Sequence, residues 1–314
     1  MVIDTDPGID DVVALALAAR CPEIEILAVT TTYGNAPLTV TTRNARTILR
    51  LSAHRDIPIF PGADRPRSRA LATAPETHGV SGVGYAPVDP PAPIVVPARP
   101  AVLCDVLNMV SRPVTLVTLG PLTNLAAALE KDEALVRRRV AQHIGMFGSL
   151  RERGNTNRWA DFNAWSDPEA ADMVVRCQLP THMVGLDVTR QMTVSSSEVD
   201  DIGQSSSKLA RWLASAMRFY VEFHRSQERL DGCVINDVLT IGELIAPGML
   251  RFEKVPIRVD LDEGEHRGHT RGGPGESSRP LQVATDVDVY AMRHLLTRVF
   301  GRSWFERFHQ EDLA

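Results

Sequence analysis

The residues at the start of the chain that could do chemistry are four aspartates within eight positions. Asp4 and Asp6 follow the apolar pair Val2-Ile3, and Asp10 and Asp11 precede a run of eight apolar residues. The Pro-Gly pair between them fits a tight turn, because proline fixes φ and glycine accepts φ > 0. A strand, a turn and a buried helix in this order would gather several negative charges at one edge of a core. Such a cluster is unfavourable unless a cation, a proton or a ligand compensates it.

Two interpretations of this acidic run are open. Asp10 and Asp11 would cap the following helix and face its positive end, so a capped helix with solvated acids explains two of the four residues. It does not explain Asp4 and Asp6, which are two residues apart and therefore on one face of a strand. We therefore predict a divalent-cation site at the carboxyl end of the first strand.

The elements that must position these acids are alternating strands and helices. Short runs rich in β-branched residues alternate with segments of helical periodicity, which is typical of βαβ units and a largely parallel sheet. No repeat or change of composition marks a linker, so residues 1–314 are predicted to form a single α/β domain, an open, mostly parallel sheet with helices on both faces. The predicted strands are 1–5, 24–31, 57–60, 114–118, 140–147, 181–186, 255–260 and 281–285, and the predicted helices are 11–20, 37–52, 98–112, 121–131, 167–177, 205–225, 236–245 and 288–300.

Oxygen-bearing groups follow several of the predicted strands. In an open α/β sheet, ligands bind beyond the carboxyl ends of the strands. Each such residue alone is more often a cap or a turn residue, but together they predict one convergent site. The groups at this rim are Asp6, Asp10, Asp11, Asn35, the free backbone carbonyls of the turn at Leu119-Gly120, Asn155, Asp161, Asn163, Asp187 and Asp237.

The types of these groups select the ligand. Carboxylates, amides and a carbonyl, without His or Cys, favour a hard cation, Ca²⁺ or Mg²⁺, over zinc. The amide and acid side chains would also bind a neutral polyol such as a sugar through hydrogen bonds. A water on the cation, deprotonated by an adjacent aspartate, would supply a nucleophile.

Composition excludes several other classes. The net charge of −5 gives no electrostatic footprint for nucleic acid, and no apolar run is long enough to span a membrane. The four cysteines are far apart and form no C-x-x-C pair, which favours reduced thiols. The first predicted strand leaves no room for a signal peptide, so a cytoplasmic protein is expected.

Two segments have the composition of loops. Residues 82–100 hold six prolines directly after a glycine-rich patch that begins at His78, and a gating flap is expected there. Residues 263–280 are rich in Gly, Arg, Ser and His and are expected to form a surface loop.

The run Asp4-Thr5-Asp6-Pro7-Gly8-Ile9-Asp10-Asp11 resembles the N-terminal signature of the inosine–uridine-preferring nucleoside hydrolase family. Further runs resemble the same family, in family order and across nearly the whole chain. They are Thr31-Thr32-Tyr33-Gly34-Asn35, His78-Gly79-x-Ser81-Gly82, Leu119-Gly120-Pro121-Leu122-Thr123-Asn124, Asp161-Phe162-Asn163-x-x-x-Asp167-Pro168-Glu169-Ala170 and Val184-Gly185-Leu186-Asp187-Val188-Thr189.

The resemblance implies a Ca²⁺-dependent N-ribohydrolase that forms a homodimer or homotetramer and acts on a small nucleoside or riboside. By motif position, Asp6, Asp11, Asp237 and the carbonyl of Leu119 would bind Ca²⁺, and Asp6 would also activate a calcium-bound water as general base. The ribose hydroxyls would be held by Asp10, Asn35, Asn155, Asp161 and Asn163. Positive charge that builds on the sugar in an oxocarbenium-like transition state would be stabilised by the acids.

The chain departs from the family pattern at two positions. Asn236 occupies the place of a histidine that can protonate the departing base, and an amide is no acid. His78 is then a candidate for leaving-group activation, with a role in positioning the flap or stacking on the base as the alternative; His224 and Tyr220 are weaker candidates. Asp161 replaces the usual Glu, so its hydrogen bond to the 5′ end of the ribose would be lost or bridged by water.

Other classes fit the residues less well. Asp-x-Asp after the first strand also opens phosphatases of the haloacid dehalogenase type, but Pro7-Gly8 and the Asp10-Asp11 pair argue against that class. An EF-hand loop would need a bidentate Glu where Leu15 stands. A protein that binds ribosides without turnover, or a ribosyl hydrolase of altered substrate, stays open because of Asn236.

Overall fold

The computed structural model of the protein describes residues 1–90, 102–177, 179–273, 280–301 and 304–305. Within these residues the strands are β1 (Val2–Thr5), β2 (Ala28–Thr31), β3 (Ile59–Pro61), β4 (Val114–Thr118), β5 (Val140–Met146), β6 (Thr181–Val184), β7 (Thr193–Ser195), β8 (Gly232–Val234), β9 (Leu250–Val259), β10 (Thr270–Gly272) and β11 (Pro280–Val287). The helices are α1 (Ile9–Arg20), α2 (Leu38–Leu51), α3 (Pro75–His78), α4 (Val102–Met109), α5 (Thr123–Arg139), α6 (Phe162–Ser166), α7 (Pro168–Arg176), α8 (Leu186–Thr189), α9 (Ser196–Gly203), α10 (Lys208–Glu228), α11 (Val238–Ile245) and α12 (Val289–Phe300).

One sheet carries nine of these strands, in the order β10-β9-β11-β6-β5-β4-β1-β2-β3, and β7 and β8 form a separate pair. Strands β1 to β6 are parallel to their sheet neighbours, and β11 is parallel to β6. Strand β9 is antiparallel to both β11 and β10. The predicted α/β class with an open, mostly parallel sheet is therefore confirmed.

Neighbouring residues along the central strands pack into two different apolar clusters. Ile3 of β1 and Val117 of β4 lie in a cluster that includes α1, α10 and α11. Val2 and Leu116, one position earlier in each strand, lie in a second cluster with α4, α5 and α7. Because side chains alternate between the faces of a strand, these two clusters cover the two faces of the sheet. Apolar residues in near-continuous runs are what a sheet buried on both faces requires.

The chain reverses its direction of travel through the sheet at β1. It runs from β1 outward through β2 to β3, and then returns to β4 on the other side of β1. The carboxyl ends of β1 and β4 therefore flank the crevice where open α/β sheets bind ligands. Asp6 follows β1 and Leu119 follows β4, so the fold brings both residues to this crevice.

Two predicted element bounds were wrong for reasons that the backbone shows. The strand predicted at 24–31 begins only at Ala28. Ile24 still closes the turn after α1, because its N–H donates to the carbonyl of Cys21. The helix predicted at 121–131 continues to Arg139 through a kink at Asp132, where φ is −160° and ψ is 81°. The Asp132 carboxylate accepts the N–H of Leu135 over 2.9 Å and so starts a second helical segment.

Other predictions are met only in part. The helix predicted at 98–112 is observed as Val102–Met109, and its first four positions lie outside the described residues. Residues 91–100 of the proposed flap also lie outside the described residues. Within the loop predicted at 263–280, residues 270–272 form β10 instead, and 274–279 are outside the described part. Helix α9 and the β7–β8 pair were not predicted. No helix in the described part of the chain is long and apolar enough to cross a membrane.

Candidate active site

Two glycines enclose the carboxylate of Asp6. A Cβ atom at Gly34 would lie 1.9 Å from Asp6 Oδ2, and one at Gly120 would lie 2.3 Å from Asp6 Oδ1. The backbone N–H of Asn35 donates to Oδ2 over 2.7 Å. Oδ1 is buried and finds no hydrogen-bond partner among the residues described. A buried carboxylate oxygen without a donor calls for a ligand, and a cation is the ligand it suits.

Asp11 is fixed by the start of α1. Its Oδ2 accepts the N–H of Gly8 over 3.0 Å, which caps the helix, and the side-chain amide of Asn35 over 2.8 Å. Its Oδ1 accepts the hydroxyl of Thr5 over 2.5 Å. Burial, and then the negative charge of Asp10, raise the pKa of Asp11 to about 6. The sequence-based cap and the cation-site interpretation are therefore compatible, since one carboxylate serves both.

Asp237 comes from the distant end of the chain to this cluster. It stands directly before α11, and one oxygen each from Asp10, Asp11 and Asp237 lie within 4.8 Å of one another. All three are buried. Burial, followed by the charges of Asp11, Asp10 and Asp6, raises the pKa of Asp237 well above its usual range. The charge repulsion among these acids is what a bound divalent cation would remove.

Asp6 is adjacent to this group but outside the set whose oxygens lie within 4.8 Å. Asn35 bridges Asp6 and Asp11, because its backbone N–H donates to one and its side-chain amide to the other. Burial and the charge of Asp11 raise the pKa of Asp6 well above its usual range. The structure thus places Asp6, Asp11 and Asp237 close together, and it adds Asp10 to the group that lies within 4.8 Å. An all-oxygen donor set of this kind fits a hard cation.

The turn after β4 adds the carbonyl of Leu119, and α6 adds the side-chain amide of Asn163. The side-chain amide of Asn163, on α6, donates to the carbonyl oxygens of Leu119 over 2.7 Å and Met146 over 2.8 Å. The N–H of Leu119 itself donates to the carbonyl of Asp4 over 2.8 Å. A carbonyl oxygen has two lone pairs, so the Leu119 oxygen keeps one for a cation.

A cavity of about 230 Å³ lies against Asp10, Asp237 and Leu119, whereas Asp6 and Asp11 are not among the described residues that line it. That volume is ample for a ribose ring with part of its base. The predicted site residues that line it are Asp10, Asn35, His78, Leu119, Asn155, Asp161, Asn163, Asn236 and Asp237.

Asp161 lines the cavity and also caps α6. Its Oδ1 accepts the N–H groups of Gly148 over 2.6 Å and Ala164 over 3.1 Å, and its Oδ2 accepts that of Asn163 over 3.0 Å. Burial outweighs these three donors and raises its pKa to about 6. The carboxylate therefore holds Asn163 in place and has lone pairs left over for a sugar hydroxyl.

Asn155 lines the cavity, whereas Asp187, also predicted at the rim, binds backbone groups of a neighbouring loop. Asn155 lines the cavity, and its Oδ1 accepts the N–H of Phe162 over 2.8 Å. Asp187 does not appear among the cavity-lining residues described; its carboxylate accepts the N–H groups of Leu150 and Arg151, each over 2.8 Å. Asp187 thus organises the loop after β5.

His78 lies at the end of α3 and faces the cavity in its neutral form. Its Nδ1 accepts the N–H of Ile9 over 3.1 Å, so the proton of the neutral ring is on Nε2. The ring packs against Tyr220 with centroids 5.2 Å apart. Burial lowers the pKa of His78 to about 4. At neutral pH this side chain can donate a hydrogen bond from Nε2 but carries no extra proton to deliver.

Asn236 is held on both sides of its amide. Its Nδ2 donates to Asp10 Oδ2 over 3.0 Å, and its Oδ1 accepts the hydroxyl of Thr189 over 2.9 Å. The side chain therefore orients Asp10 but offers no acidic proton.

The sequence analysis did not single out several cavity-lining residues. Arg190 and Glu228 face each other as an ion pair at 3.3 Å, and Glu76 and Trp165 also line the cavity. The signals were present but weak: Arg190 directly follows the motif that ends at Thr189, and Glu228 lies one helical turn after His224 on α10.

Comparison with known proteins gives the class of this site. The family model described as inosine-uridine preferring nucleoside hydrolase matches residues 1–294. A probable uridine nucleosidase 2 from Arabidopsis thaliana is 32% identical over 275 residues, covering 87% of this chain and 84% of that protein. The pyrimidine-specific ribonucleoside hydrolase RihA of Photobacterium profundum is 36% identical over 269 residues, covering 85% and 86%.

A solved structure agrees with these relatives. The plant nucleoside hydrolase PpNRh1 superposes with a TM-score of 0.87 at 32% identity, covering 95% of this chain and 98% of that one. The fold and the site therefore define an N-ribosyl hydrolase. The chain belongs to the inosine-uridine preferring nucleoside hydrolase family, and the predicted membership and enzyme class are both confirmed.

Proposed function

We propose that this N-ribosyl hydrolase cleaves the N-glycosidic bond of ribonucleosides with Ca²⁺ as cofactor, giving ribose and the free base. The observation that carries the proposal is the meeting of Asp237 with Asp10 and Asp11 within 4.8 Å at the rim of the 230 Å³ cavity. Buried acids in that arrangement favour a divalent ion, and their oxygen-only chemistry favours Ca²⁺ or Mg²⁺ over zinc.

The cation would be held by Asp6, Asp11, Asp237 and the carbonyl oxygen of Leu119. When bound, it would acidify a water molecule and grip two hydroxyls of the ribose. One oxygen of Asp10 lies within 4.8 Å of an oxygen of Asp11 and of Asp237. Asp10 would therefore bind the ribose at the edge of the same acidic cluster.

Asp6 would act as the general base. Its Oδ1 is buried without a donor, while Oδ2 is oriented by the N–H of Asn35. A carboxylate with one oxygen fixed and the other free is well prepared to take a proton from the attacking water. The two enclosing glycines limit the positions that this carboxylate can adopt.

The ribose would be oriented by Asp10, Asn35, Asn155, Asp161 and Asn163. Each lines the cavity, and the contacts of Asn35, Asp161 and Asn163 with backbone groups restrict their side chains before substrate arrives. Preorganised oxygens of this kind stabilise positive charge on the sugar in the transition state. Asn236 and His78 would lie at the departing base, as hydrogen-bonding groups.

The wider setting of the reaction belongs to the same proposal. The two curated relatives are named for uridine and for pyrimidine ribonucleosides, which supports a place in nucleoside salvage. The four cysteines are buried free thiols, which supports a cytoplasmic location. Residues 1–314 would act as one domain. The homodimer or homotetramer that the family resemblance implies belongs to the same proposal.

The test is release of free base from a panel of purine, pyrimidine and nicotinamide ribosides, with Ca²⁺ and with a chelator. Base release that the chelator abolishes and Ca²⁺ restores is the expected result. Calcium-dependent riboside binding without any release would overturn the proposal in favour of a riboside-binding protein.

A further inference from the structure

The base end of the cavity carries one permanently charged cation. Among the described residues that line this cavity, Arg190 is the single lysine or arginine. It caps the carboxyl end of α8, directly after Thr189, whose hydroxyl donates to Asn236. Asn236 in turn donates to Asp10, so a chain of contacts ties the position of Arg190 to the ribose end of the site.

Glu228 anchors the guanidinium of Arg190. Each of its carboxylate oxygens accepts one terminal N–H of Arg190, and both N–O distances are 3.3 Å. That is a long fork, near the outer limit for such a bond. The anchor is also independent of Asn236, because Glu228 is the last residue of α10. The guanidinium has five N–H groups, so hydrogens remain for another acceptor.

The cavity continues past this ion pair. Arg190 and Glu228 also line an adjoining cavity of about 1090 Å³, together with Phe223 and Val234. The distal edge of a base in the site would therefore meet the Arg190 guanidinium. This edge is where carbonyl oxygens of a pyrimidine-like or oxopurine base would be found.

We propose that Arg190, anchored by Glu228, is a catalytic residue that binds the departing base and stabilises the negative charge that develops on it. The inference deepens the proposed hydrolase function and rests on it. Asn236 has no acidic proton for the leaving base. If the base departs without a proton, the negative charge that develops on it must be stabilised by another group. The preferred substrates are then ribosides whose base leaves as an anion with acceptor oxygens.

The step balances without a further reactant. The C1′–N bond breaks and both of its electrons go to the nitrogen of the base, which departs as an anion bound to Arg190. The oxygen of water bonds to C1′, and the proton it loses goes to Asp6. Asp6 then releases its proton to solvent and the base anion takes one from solvent, so that the enzyme is regenerated and one water is consumed for each riboside cleaved.

The experiment compares two substrates that differ in the charge of the leaving group. Uridine releases an anionic base, whereas nicotinamide riboside has a cationic glycosidic nitrogen and releases a neutral one. We expect Arg190→Met to lower kcat on uridine by about 100-fold, as loss of one charge-stabilising donor does, and to leave kcat on nicotinamide riboside within about 3-fold. Arg190→Lys, which keeps the charge, should recover part of the uridine rate.

Two further variants separate this role from a structural one. Arg190→Met/Glu228→Gln removes both charges of the pair and should show the same selective loss as Arg190→Met. Arg225→Met breaks a comparable ion pair with Asp231, which lies outside the cavity lining, and should change neither rate. An equal loss on both substrates, or full uridine turnover by Arg190→Met, would overturn the inference. No turnover of any riboside by the wild-type protein would instead defeat the proposed function itself.

Discussion

The side-chain amide of Asn236 donates to Asp10 Oδ2 over 3.0 Å, although 226 residues separate the two. The contact joins the segment that leads into α11 to the first turn of α1. It also fixes the amide so that its oxygen faces Thr189. Position 236 therefore orients an acid of the cluster in a place where related enzymes are expected to hold a proton donor.

Replacing Asn236 by histidine tests that difference. We expect Asn236→His to raise kcat on inosine and uridine by about 10-fold, a modest part of what a general acid can supply, and to add a basic limb to the pH–rate profile. Asn236→Ala serves as the control, because it also breaks the contact with Asp10 and adds no acid. Unchanged rates on both nucleosides would count against a leaving-group role for this position.

Asp237 gives the sharpest test of the cation site. Asp237→Asn keeps the shape of the side chain and removes one negative charge, so we expect Ca²⁺ binding to be lost in calorimetric titration and kcat/KM to fall by 100-fold or more, above the roughly 10- to 100-fold typical of residues that only support ligands. Asp167→Asn is the matched control: Asp167 is buried and caps α7, away from the cavity. A variant of Asp237 with full turnover would refute the site.

Gly34 tests the enclosure of Asp6. In Gly34→Ala the new Cβ would start 1.9 Å from Asp6 Oδ2, so the carboxylate must move. A displacement of this size can cost about 100-fold in kcat. Gly273 has a similar backbone, with φ of +145° against +155°, but its chain neighbours aside, no atom of the described residues lies within 4 Å of its Cβ position. If Gly273→Ala lowers kcat as much as Gly34→Ala, backbone strain and not contact with Asp6 is the cause.

The stability of the cation-free protein should depend on pH. Burial raises the pKa of Asp4 to about 7 and that of Asp11 to about 6, against 3.8 for an ordinary aspartate. Between these values the native state holds protons that the unfolded state has released, so the free energy of unfolding falls as pH rises from about 4 to about 7. The shift of about two units at Asp11 corresponds to roughly 3 kcal/mol, and the shift of about three units at Asp4 to roughly 4 kcal/mol.

Urea unfolding between pH 4.5 and 8, with chelator and with Ca²⁺, measures this dependence. Because the cation would take the place of the proton on Asp11 but not of the proton on Asp4, whose carboxylate accepts hydrogen bonds from Thr30 and Asn124, the decline should be smaller with Ca²⁺ and the part due to Asp4 should remain. Asp4→Asn, which removes one of the titrating groups, should make the chelated curve shallower. A flat curve for the chelated wild-type protein would contradict the burial argument.

Asp161 combines a cap with a place in the cavity wall. Asp161→Ala leaves three backbone N–H groups without their acceptor, so we expect the free energy of unfolding to drop by about 1–2 kcal/mol and KM to rise because Asn163 loses its support. Asp167→Ala removes the equivalent cap of α7 and should destabilise the protein similarly with an unchanged KM. Equal KM values for the two variants would argue that Asp161 has no part in binding ribose.

Much of the fold followed from local patterns. Apolar runs such as the one from Val12 to Ala19 identify the buried helices and strands of a sheet that is covered on both faces. The acids after β1 identify the edge of the sheet where the candidate site lies. What local patterns do not contain is long-range pairing. The antiparallel β9–β10 edge is rich in charged residues, and the β7–β8 pair consists of two three-residue strands that come from distant segments of the chain.

The site was predictable to a similar extent. Asp6, Asp11, Asn35 and Asn163 could be named because each follows a strand or belongs to a motif that resembles the family. The Arg190–Glu228 pair could not, since its two residues come from α8 and α10 and meet only in the folded chain. Asp132 shows the same limit in a helix, where one side chain restarts the element beyond its predicted end.

The position of β1 in the middle of the sheet has a consequence for biosynthesis. During synthesis β1 is made before β4, which covers its second edge, and Asp10 and Asp11 are made long before Asp237, which completes their cluster. The proposed calcium site would therefore be complete only in a polypeptide whose later segments have already docked. Binding of the ion would report that the enzyme is fully assembled, and a prematurely terminated chain would fail that check.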